Sequence, residues 1–479
     1  MLGAFTDFIW SWILVVVLIG IGTVFTLGSR FVQARYFLEM FRVLGQAFHH
    51  QPGHVSSFQA LALSVAGRVG AGNIAGVAVA ITLGGPGAVF WMWIIGLLGM
   101  STSFFECTLA QVFKNNEPDG TYRGGPAYYM TRGLRMRWLA TIYSVLLLVT
   151  FGMAFVALQS FTATSSLEDA FGIPALWSGV ALTAIVGLVI FGGVKRIAKV
   201  AEIIVPLMAV AYILVALVVL ALNIEAIPGA LAIIVQGAFG LDPAIGGGIG
   251  AAIAMGARRG LFSNEAGLGS GPNVAAVAWV PHPVNQGIVQ AFSVFIDTVI
   301  ICSSTAFIIV MSSVYVPGAE NAVDGVVMTQ AALADHVGPW GRSFVSIALM
   351  LFAFSSILYN YYLGENSLNY FSEENKHLFN GFRAVVLALI LWGSLQDLST
   401  VFAFADLTMA FAALANIAAL ALLVPVAFRV MRDYDEQRRT REYPVFEPKK
   451  FPDLDIDHAA WADAADAAPD SARRSAQAG

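Results

Sequence analysis

Apolar residues run through this chain in long blocks, not in the alternating or every-third-residue patterns of a soluble core. A helix crossing a hydrocarbon layer about 30 Å thick needs roughly 20 such residues. Eleven blocks fit: 9–27, 57–82, 86–113, 138–163, 176–193, 199–222, 245–277, 284–314, 342–370, 378–395 and 398–430. The run from Ile204 to Leu222 is apolar on every side, whereas a membrane-barrel strand alternates over about ten residues. The blocks therefore predict an all-α polytopic membrane protein with eleven transmembrane helices. The first block lacks the basic flank of a secretory leader and follows Asp7, so it is expected to remain as a helix. Segment 31–50 mixes aromatic and aliphatic residues with Arg35 and Arg42, just after Arg30. That pattern suits a helix lying at the inner interface.

Composition agrees with the pattern. The 479 residues are 58% hydrophobic and only 12% charged, with a mean hydropathy of +0.73 that no ordinary soluble domain approaches. Net charge is −5 and the basic residues occupy short loops, which argues against nucleic acid as a partner. Cys107 and Cys302 both lie inside apolar blocks and read as small core residues. The seven His are scattered without ligand spacing, so metal chemistry has no support.

The basic residues fix an expected orientation, because cytoplasmic loops accumulate Lys and Arg. With the N-terminus outside, Arg30, Arg35 and Arg42 fall inside. So do Lys114, Arg123, Arg132, Arg135 and Arg137, then Lys195, Arg196 and Lys199, then Lys376 and Arg383, and finally Arg429, Arg432 and Arg438. The outward connections, 83–86, 165–175, 223–244, 315–340 and 396–397, carry Glu168, Asp169, Glu225, Glu320 and Asp335 but no basic residue except Arg342 near a helix boundary. The C-terminus is then cytoplasmic. Beyond about residue 432 the chain turns polar and Ala/Asp-rich, too charged to span and too weakly patterned to pack, with a disordered end.

Two blocks are punctuated by glycine. One reads Ala66-Gly67-Arg68-Val69-Gly70-Ala71-Gly72-Asn73-Ile74-Ala75-Gly76 and the other Gly260-Leu261-Phe262-Ser263-Asn264-Glu265-Ala266-Gly267-Leu268-Gly269-Ser270-Gly271-Pro272. Each opens a group of five helices, 57–222 and 245–430, flanked by an N-terminal unit 1–56 and a cytosolic tail 431–479. Five is odd, so the second group starts on the opposite side of the membrane: an inverted repeat. A broken helix offers N–H groups at one half-end and carbonyls at the other, at midplane depth, where an anion and a cation are held. An amino-acid carboxylate and Na⁺ are the natural guests. Gly76 by itself reads better as a helix-packing residue.

At these residues the chain resembles the alanine/glycine:cation symporter family, from about residue 55 to 425. The matching stretches are Val69 to Gly76, Gly84-Gly85-Pro86-Gly87-Ala88-Val89-Phe90-Trp91-Met92-Trp93, Arg123-Gly124-Gly125-Pro126-Ala127-Tyr128-Tyr129, Gly260 to Ser270, His282-Pro283 with Gln286-Gly287, and Phe295-Ile296-Asp297-Thr298. The resemblance implies a leucine-transporter-like five-plus-five fold with one extra N-terminal helix and cation-coupled uptake. It implies that Ala71, Gly72 and Asn73 meet substrate from the first break and Phe262, Ser263 and Asn264 from the second. Gln159 would bond the substrate, its alternative role being an interhelical bridge. The stretch Val69-Gly70-Ala71-Gly72-Asn73 also resembles the first-helix motif of the wider neurotransmitter:sodium symporter group, and by that likeness the Ala66 and Val69 carbonyls with the Ser355 and Ser356 hydroxyls would form the sodium site, unless the serines bond back to their own helix. Neutral oxygens suit a monovalent ion, whereas several carboxylates would favour Ca²⁺. Two positions depart from the family pattern: Phe161 stands where an Asn is common, and Asn360 where a Trp is often found, which makes the pocket more polar and adds Asn360 to its expected lining.

Ionisable residues inside a membrane pair with one another or face a cavity. Arg68 sits in the first break, with Glu106, Glu265, Asp297, Glu365 and Asp406 as candidate partners. Arg68 with Glu265 is the expected pair, tying the breaks together as a gate. Arg258 and Arg259 are expected at an inner vestibule or the interface.

These features predict sodium-coupled symport of alanine or glycine by alternating access, in a bacterial inner membrane, with Na⁺ as coupling ion and no other cofactor. Glutamine or another neutral amino acid as substrate, or H⁺ as coupling ion, is the alternative. A channel would want a pore-lining ring of like residues. An enzyme would want a nucleophile, metal cluster or cofactor loop beside Glu106 and Asp297, and the sequence offers none of these, nor a P-loop.

Overall fold

The computed structural model describes residues 6, 8–46, 54–117, 120–240, 248–316, 325–372, 375–440 and 443–464. Asp7, Glu320 and the end of the tail, 465–479, lie outside them. Every one of the eleven predicted blocks carries helix. The elements are α1 (Ile9–Gly28), α2 (Phe37–Gln46), α3 (Ser57–Arg68), α4 (Gly72–Gly84), α5 (Gly87–Val112), α6 (Arg137–Phe171), α7 (Ala175–Ile190), α8 (Gly193–Leu222), α9 (Ile224–Ala238), α10 (Ile249–Asn264), α11 (Ser270–Ala275), α12 (Pro283–Val310), α13 (Gly325–Val337), α14 (Trp340–Phe371), α15 (Lys376–Ser394) and α16 (Leu398–Arg438).

Among the described residues, eight helices are long and apolar enough to cross a membrane, or nine when α3 and α4 count as one span bent by 49°. Helices α7 and α10 have 16 residues each. At 1.5 Å per residue such helices are about 24 Å long, short of a hydrocarbon core of about 30 Å. A two-stranded ribbon, Asn115–Asn116 with Tyr122–Arg123, follows α5.

Helix α5 lies at the centre, packed by α1, α9, α10 and α12. Small residues let its neighbours approach: a Cβ on Gly96 would stand 2.7 Å from Thr298, and one on Gly99 3.0 Å from Ala266. The membrane supplies no hydrophobic drive between helices, so such close backbone contact carries the packing.

Two connections and the tail hold more structure than their composition suggests. The 223–244 and 315–340 segments contain helices α9 and α13, and α13 seats against the break at Gly72–Gly76, where Thr329 Oγ1 donates to the Ile74 carbonyl at 3.2 Å. The tail does pack, against expectation. Helix α16 runs on to Arg438, and residues 443–464 bury Phe446, Phe451, Ile456 and Trp461. Phe446 N–H donates to the Pro281 carbonyl at 2.9 Å, and Lys114 Nζ lies 4.2 Å from the Trp461 ring centre. Burial drives the Lys114 ammonium well below the ordinary lysine range. A few aromatic anchors thus hold a segment whose average composition is polar.

The segments carrying basic residues meet on one face: Arg35 pairs with Asp435 at 3.0 Å, Arg438 with Glu39 at 2.6 Å and Arg383 with Glu365 at 3.7 Å. On the opposite face Arg342 pairs with Asp169 at 3.2 Å, and Asp335 caps Ser313 N–H at 2.8 Å.

Candidate functional site where two interrupted helices meet

Helix α3 stops at Arg68 because Val69 turns extended, with φ −83° and ψ 96°. The chain restarts as a wide π turn over Gly72–Gly76 before α4 continues. Asn73 holds the gap from within: its Oδ1 accepts from Gly70 N–H at 2.9 Å. Gln159, on α6, accepts from Ala71 N–H at 3.0 Å. Gly70 admits no side chain, since a Cβ there would stand 2.7 Å from both Gln159 Nε2 and Ser356 Oγ.

The second interruption is narrower than predicted. Helix α10 continues through Gly260 to Asn264, and the break is Glu265 to Gly269, where Glu265, Gly267 and Gly269 all have positive φ, 55°, 92° and 82°. Glu106 pins this loop from α5: its Oε1 accepts from Gly267 N–H at 3.2 Å and its Oε2 from Asn416 at 3.1 Å.

The breaks touch. Arg68 Nε donates to the Asn264 carbonyl at 2.7 Å, Asn73 Nδ2 to Ser263 Oγ at 3.1 Å, and the Phe262 ring lies against Gly72. The predicted Arg68–Glu265 ion pair is absent. Arg68, 2% exposed, spends its other donors on Gln290 Oε1 at 2.9 Å, Ser103 Oγ at 3.0 Å and Ser293 Oγ. Glu265 instead accepts from Ser270 at 2.6 Å and from the Tyr359 hydroxyl at 2.9 Å. The physical reason is position: a helix C-terminus presents unpaired carbonyls with partial negative charge, and α10 ends where the guanidinium points.

Of the expected cation ligands, three converge. Ser356 Oγ lies 2.7 Å from the Ala66 carbonyl and 3.4 Å from that of Val69, both at the C-terminal end of α3. Ser355 points elsewhere, donating back to Phe352 O at 2.9 Å, the alternative weighed for it. Of the expected substrate ligands, Asn73, Gln159 and Ser263 are held within the hydrogen-bond web of the breaks, Gln159 as the interhelical bridge. Phe262 packs against Phe155 and Phe402 with tilted rings, at centroid distances of 5.1 and 5.7 Å. Asn264 keeps an unpartnered Nδ2, and Asn360, 1% exposed and one helical turn beyond Ser356, has no hydrogen-bond partner for either amide atom among the described residues. Gly76 proves indifferent as a packing residue, since a Cβ there would meet Phe262 at an ordinary 3.6 Å.

A family model described as the sodium:alanine symporter family matches residues 1–448. The chain belongs to that family. Its relatives include the amino-acid carrier protein AlsT of Bacillus subtilis, 47% identical over 449 residues that cover 94% of this chain and 95% of AlsT. The probable sodium/glutamine symporter GlnT of the same species is 47% identical, over 93% of this chain and 92% of GlnT. A sodium/proton-dependent alanine carrier protein of Bacillus sp. strain PS3 is 38% identical, over 83% and 92%. Among solved structures, a manganese transporter of Eremococcus coleocola aligns over 78% of each chain with a TM-score of 0.51 and 16% identity, a likeness of fold alone. This sodium:alanine symporter family member is thus a transporter with a membrane-transporter fold, not an enzyme.

Several charged residues that the sequence offered only as candidate partners of Arg68, or as vestibule residues, take defined places at this family member's site. Asp297 sits in a π stretch of α12, Phe295–Cys302, and receives Asn73 Nδ2 at 2.6 Å, Ser263 Oγ at 2.9 Å and Thr298 Oγ1 at 2.8 Å. It is the anchor that orients both breaks, and its signal was its acidity inside an apolar block. Arg259 and Asp406 pair at 2.5 Å, with Arg258 at 3.8 Å from the same carboxylate. Arg259 also lies over Phe262 and Phe402, 5.4 and 4.9 Å from their centroids. The expected vestibule or interface position is therefore replaced by a buried cluster roofing the aromatic side of the site.

Proposed function

We propose that this protein moves a neutral amino acid together with Na⁺ across the bacterial cell membrane by alternating access. The reading rests above all on the meeting of two interrupted helices, tied by Arg68 to the Asn264 carbonyl and by Asn73 to Ser263. Backbone is left unwound at membrane depth only where it is buried in protein or lines a wet cavity, and paired breaks of this kind suit a transport path. In this reading Na⁺ takes the Ala66 and Val69 carbonyls with Ser356 Oγ, because hard neutral oxygens replace the hydration of a monovalent ion without over-binding it. The substrate's carboxylate and ammonium meet the break backbone at Ala71 and Gly72 and the Phe262, Ser263 and Asn264 end of α10. Arg259 with Asp406, over the Phe262 and Phe402 rings, forms a latch on the aromatic side of the site. Five-plus-five inverted symmetry, with α1 outside it, supplies the two half-sites.

The sodium/alanine pairing of the family name and of one relative supports alanine or glycine as substrate. A second reading, glutamine, draws on a specific observation: the buried Asn360 amide has a donor and an acceptor free. A carboxamide side chain satisfies both, whereas an unpaired buried polar group costs about 1–3 kcal/mol. Na⁺-driven uptake of labelled alanine and of labelled glutamine, with unlabelled glycine or glutamine as competitor, separates the two. Block by glycine but not glutamine supports the first reading, block by glutamine alone the second, and uptake of neither amino acid refutes both.

A further inference from the structure

On the basic face, between the turn that ends α1 and the last turns of α16, lies a cleft of about 620 Å³ lined by five arginines. Two of them are neutralised: Arg35 by Asp435 at 3.0 Å and Arg438 by Glu39 at 2.6 Å. Arg30, Arg432 and Arg439 are exposed and form no ion pair within 4.0 Å among the described residues, where the lining offers them one further carboxylate, Glu436. Three guanidinium groups facing one carboxylate leave a surplus of two positive charges. Repulsion among unpaired arginines is a cost that a bound anion removes, and guanidinium forks match phosphate oxygens bidentately.

The turn is built to hold Arg30 there. Arg30 and Phe31 both adopt left-handed backbone, φ 57° and 60°, a conformation side chains with a Cβ avoid. It is fixed by Phe31 N–H to the Thr26 carbonyl at 2.7 Å and Arg30 N–H to that of Leu27 at 3.0 Å. Beside the cleft Leu27 and Phe31 are 60% and 54% exposed, so an apolar surface adjoins the cationic one. An ion free in water needs no such apolar flank, while a phospholipid needs both.

We propose that this cleft binds the phosphodiester headgroup of an anionic phospholipid, with the acyl chains against Leu27 and Phe31. The surplus of two charges suits a headgroup with two phosphates, and basic clefts beside helices on the cytoplasmic side are suited to that chemistry. The site lies apart from the meeting of the breaks, so it is independent of which amino acid is carried.

Native mass spectrometry of the full-length protein in detergent, titrated separately with cardiolipin, phosphatidylglycerol, phosphatidylcholine and inorganic phosphate, tests it. Wild type retains cardiolipin adducts at concentrations at least ten-fold below those needed for phosphatidylcholine. Arg30→Gln/Arg432→Gln/Arg439→Gln loses that preference, while Arg135→Gln/Arg137→Gln, on the same face, keeps it. Thermal unfolding confirms that each variant is folded, and Arg432→Gln alone serves if the triple variant is not. Equal cardiolipin retention by the arginine variant overturns the proposal. So does retention of inorganic phosphate that cardiolipin does not displace, which assigns the cleft to a soluble anion.

Discussion

Arg68 Nε donates to the main-chain carbonyl of Asn264 at 2.7 Å, so a cation at the end of one half-helix is held by the carbonyl end of another. The pairing uses backbone, not the Glu265 carboxylate, and it predicts unequal effects of mutation. Arg68→Lys keeps the charge but cannot reach Asn264, Gln290, Ser103 and Ser293 together. Each lost charged hydrogen bond is worth about 1.5–3 kcal/mol, so uptake should fall at least ten-fold and thermal stability with it. Glu265→Gln keeps an acceptor for Tyr359 or Ser270, and uptake should stay within about three-fold. Equal damage from the two substitutions would restore the ion-pair reading.

The two serines of α14 should separate cleanly. Ser356→Ala removes the hydroxyl beside Ala66 and Val69 and should raise the half-saturating Na⁺ concentration ten-fold or more, about 1.4 kcal/mol. Ser355→Ala removes only a bond to its own helix and should leave that value nearly unchanged. Na⁺ titration of initial uptake rates reads both.

Gly70→Ala places a methyl 2.7 Å from Gln159 Nε2 and Ser356 Oγ. Overpacking of this kind costs about 1–3 kcal/mol, here at the hinge of the break. Protein should reach the membrane with uptake close to background. Normal uptake would mean that Gln159 and Ser356 do not close on Gly70 during transport.

Much of this was legible in the chain. Long apolar blocks gave the helices, and glycine with Asn and Ser gave both breaks, because a broken span needs residues that tolerate unwound backbone. The partners of Arg68 were not legible: Gln290, Ser293 and Ser103 are neutral, distant in sequence and ordinary in type. The π stretches at Thr150–Phe155 and Phe295–Cys302 leave no compositional mark either, although one places Asp297. The tail misled because Phe446, Phe451 and Trp461 are few, and only their shared docking on Pro281 and Lys114 makes them a core.

Glutamine recognition by Asn360 has its own test. If the free amide meets a carboxamide, Asn360→Leu should weaken competition by glutamine at least ten-fold and competition by alanine less than three-fold. Equal loss of both would assign Asn360 to packing.

The basic face should weaken in acid. Burial lowers His282 below the ordinary 6.5 despite Asp433, 3.2 Å away, with Lys450 adding to the effect. His54, stacked between Tyr122 and Trp279, is lowered by burial and then by Lys114 and Lys195, against Asp463. Each imidazole binds its proton more weakly folded than unfolded. Stability is therefore full above about pH 6.5 and falls as pH drops toward the folded values. Thermal unfolding from about pH 7.5 to 5.5 should show a decline that His282→Gln flattens.

The most direct measurement is accumulation of labelled alanine and glutamine in proteoliposomes under an imposed inward Na⁺ gradient, with K⁺ replacing Na⁺ as control. Uphill accumulation of at least one that collapses without the gradient is the predicted result. Accumulation of neither, or equal uptake without Na⁺, would contradict sodium-coupled symport.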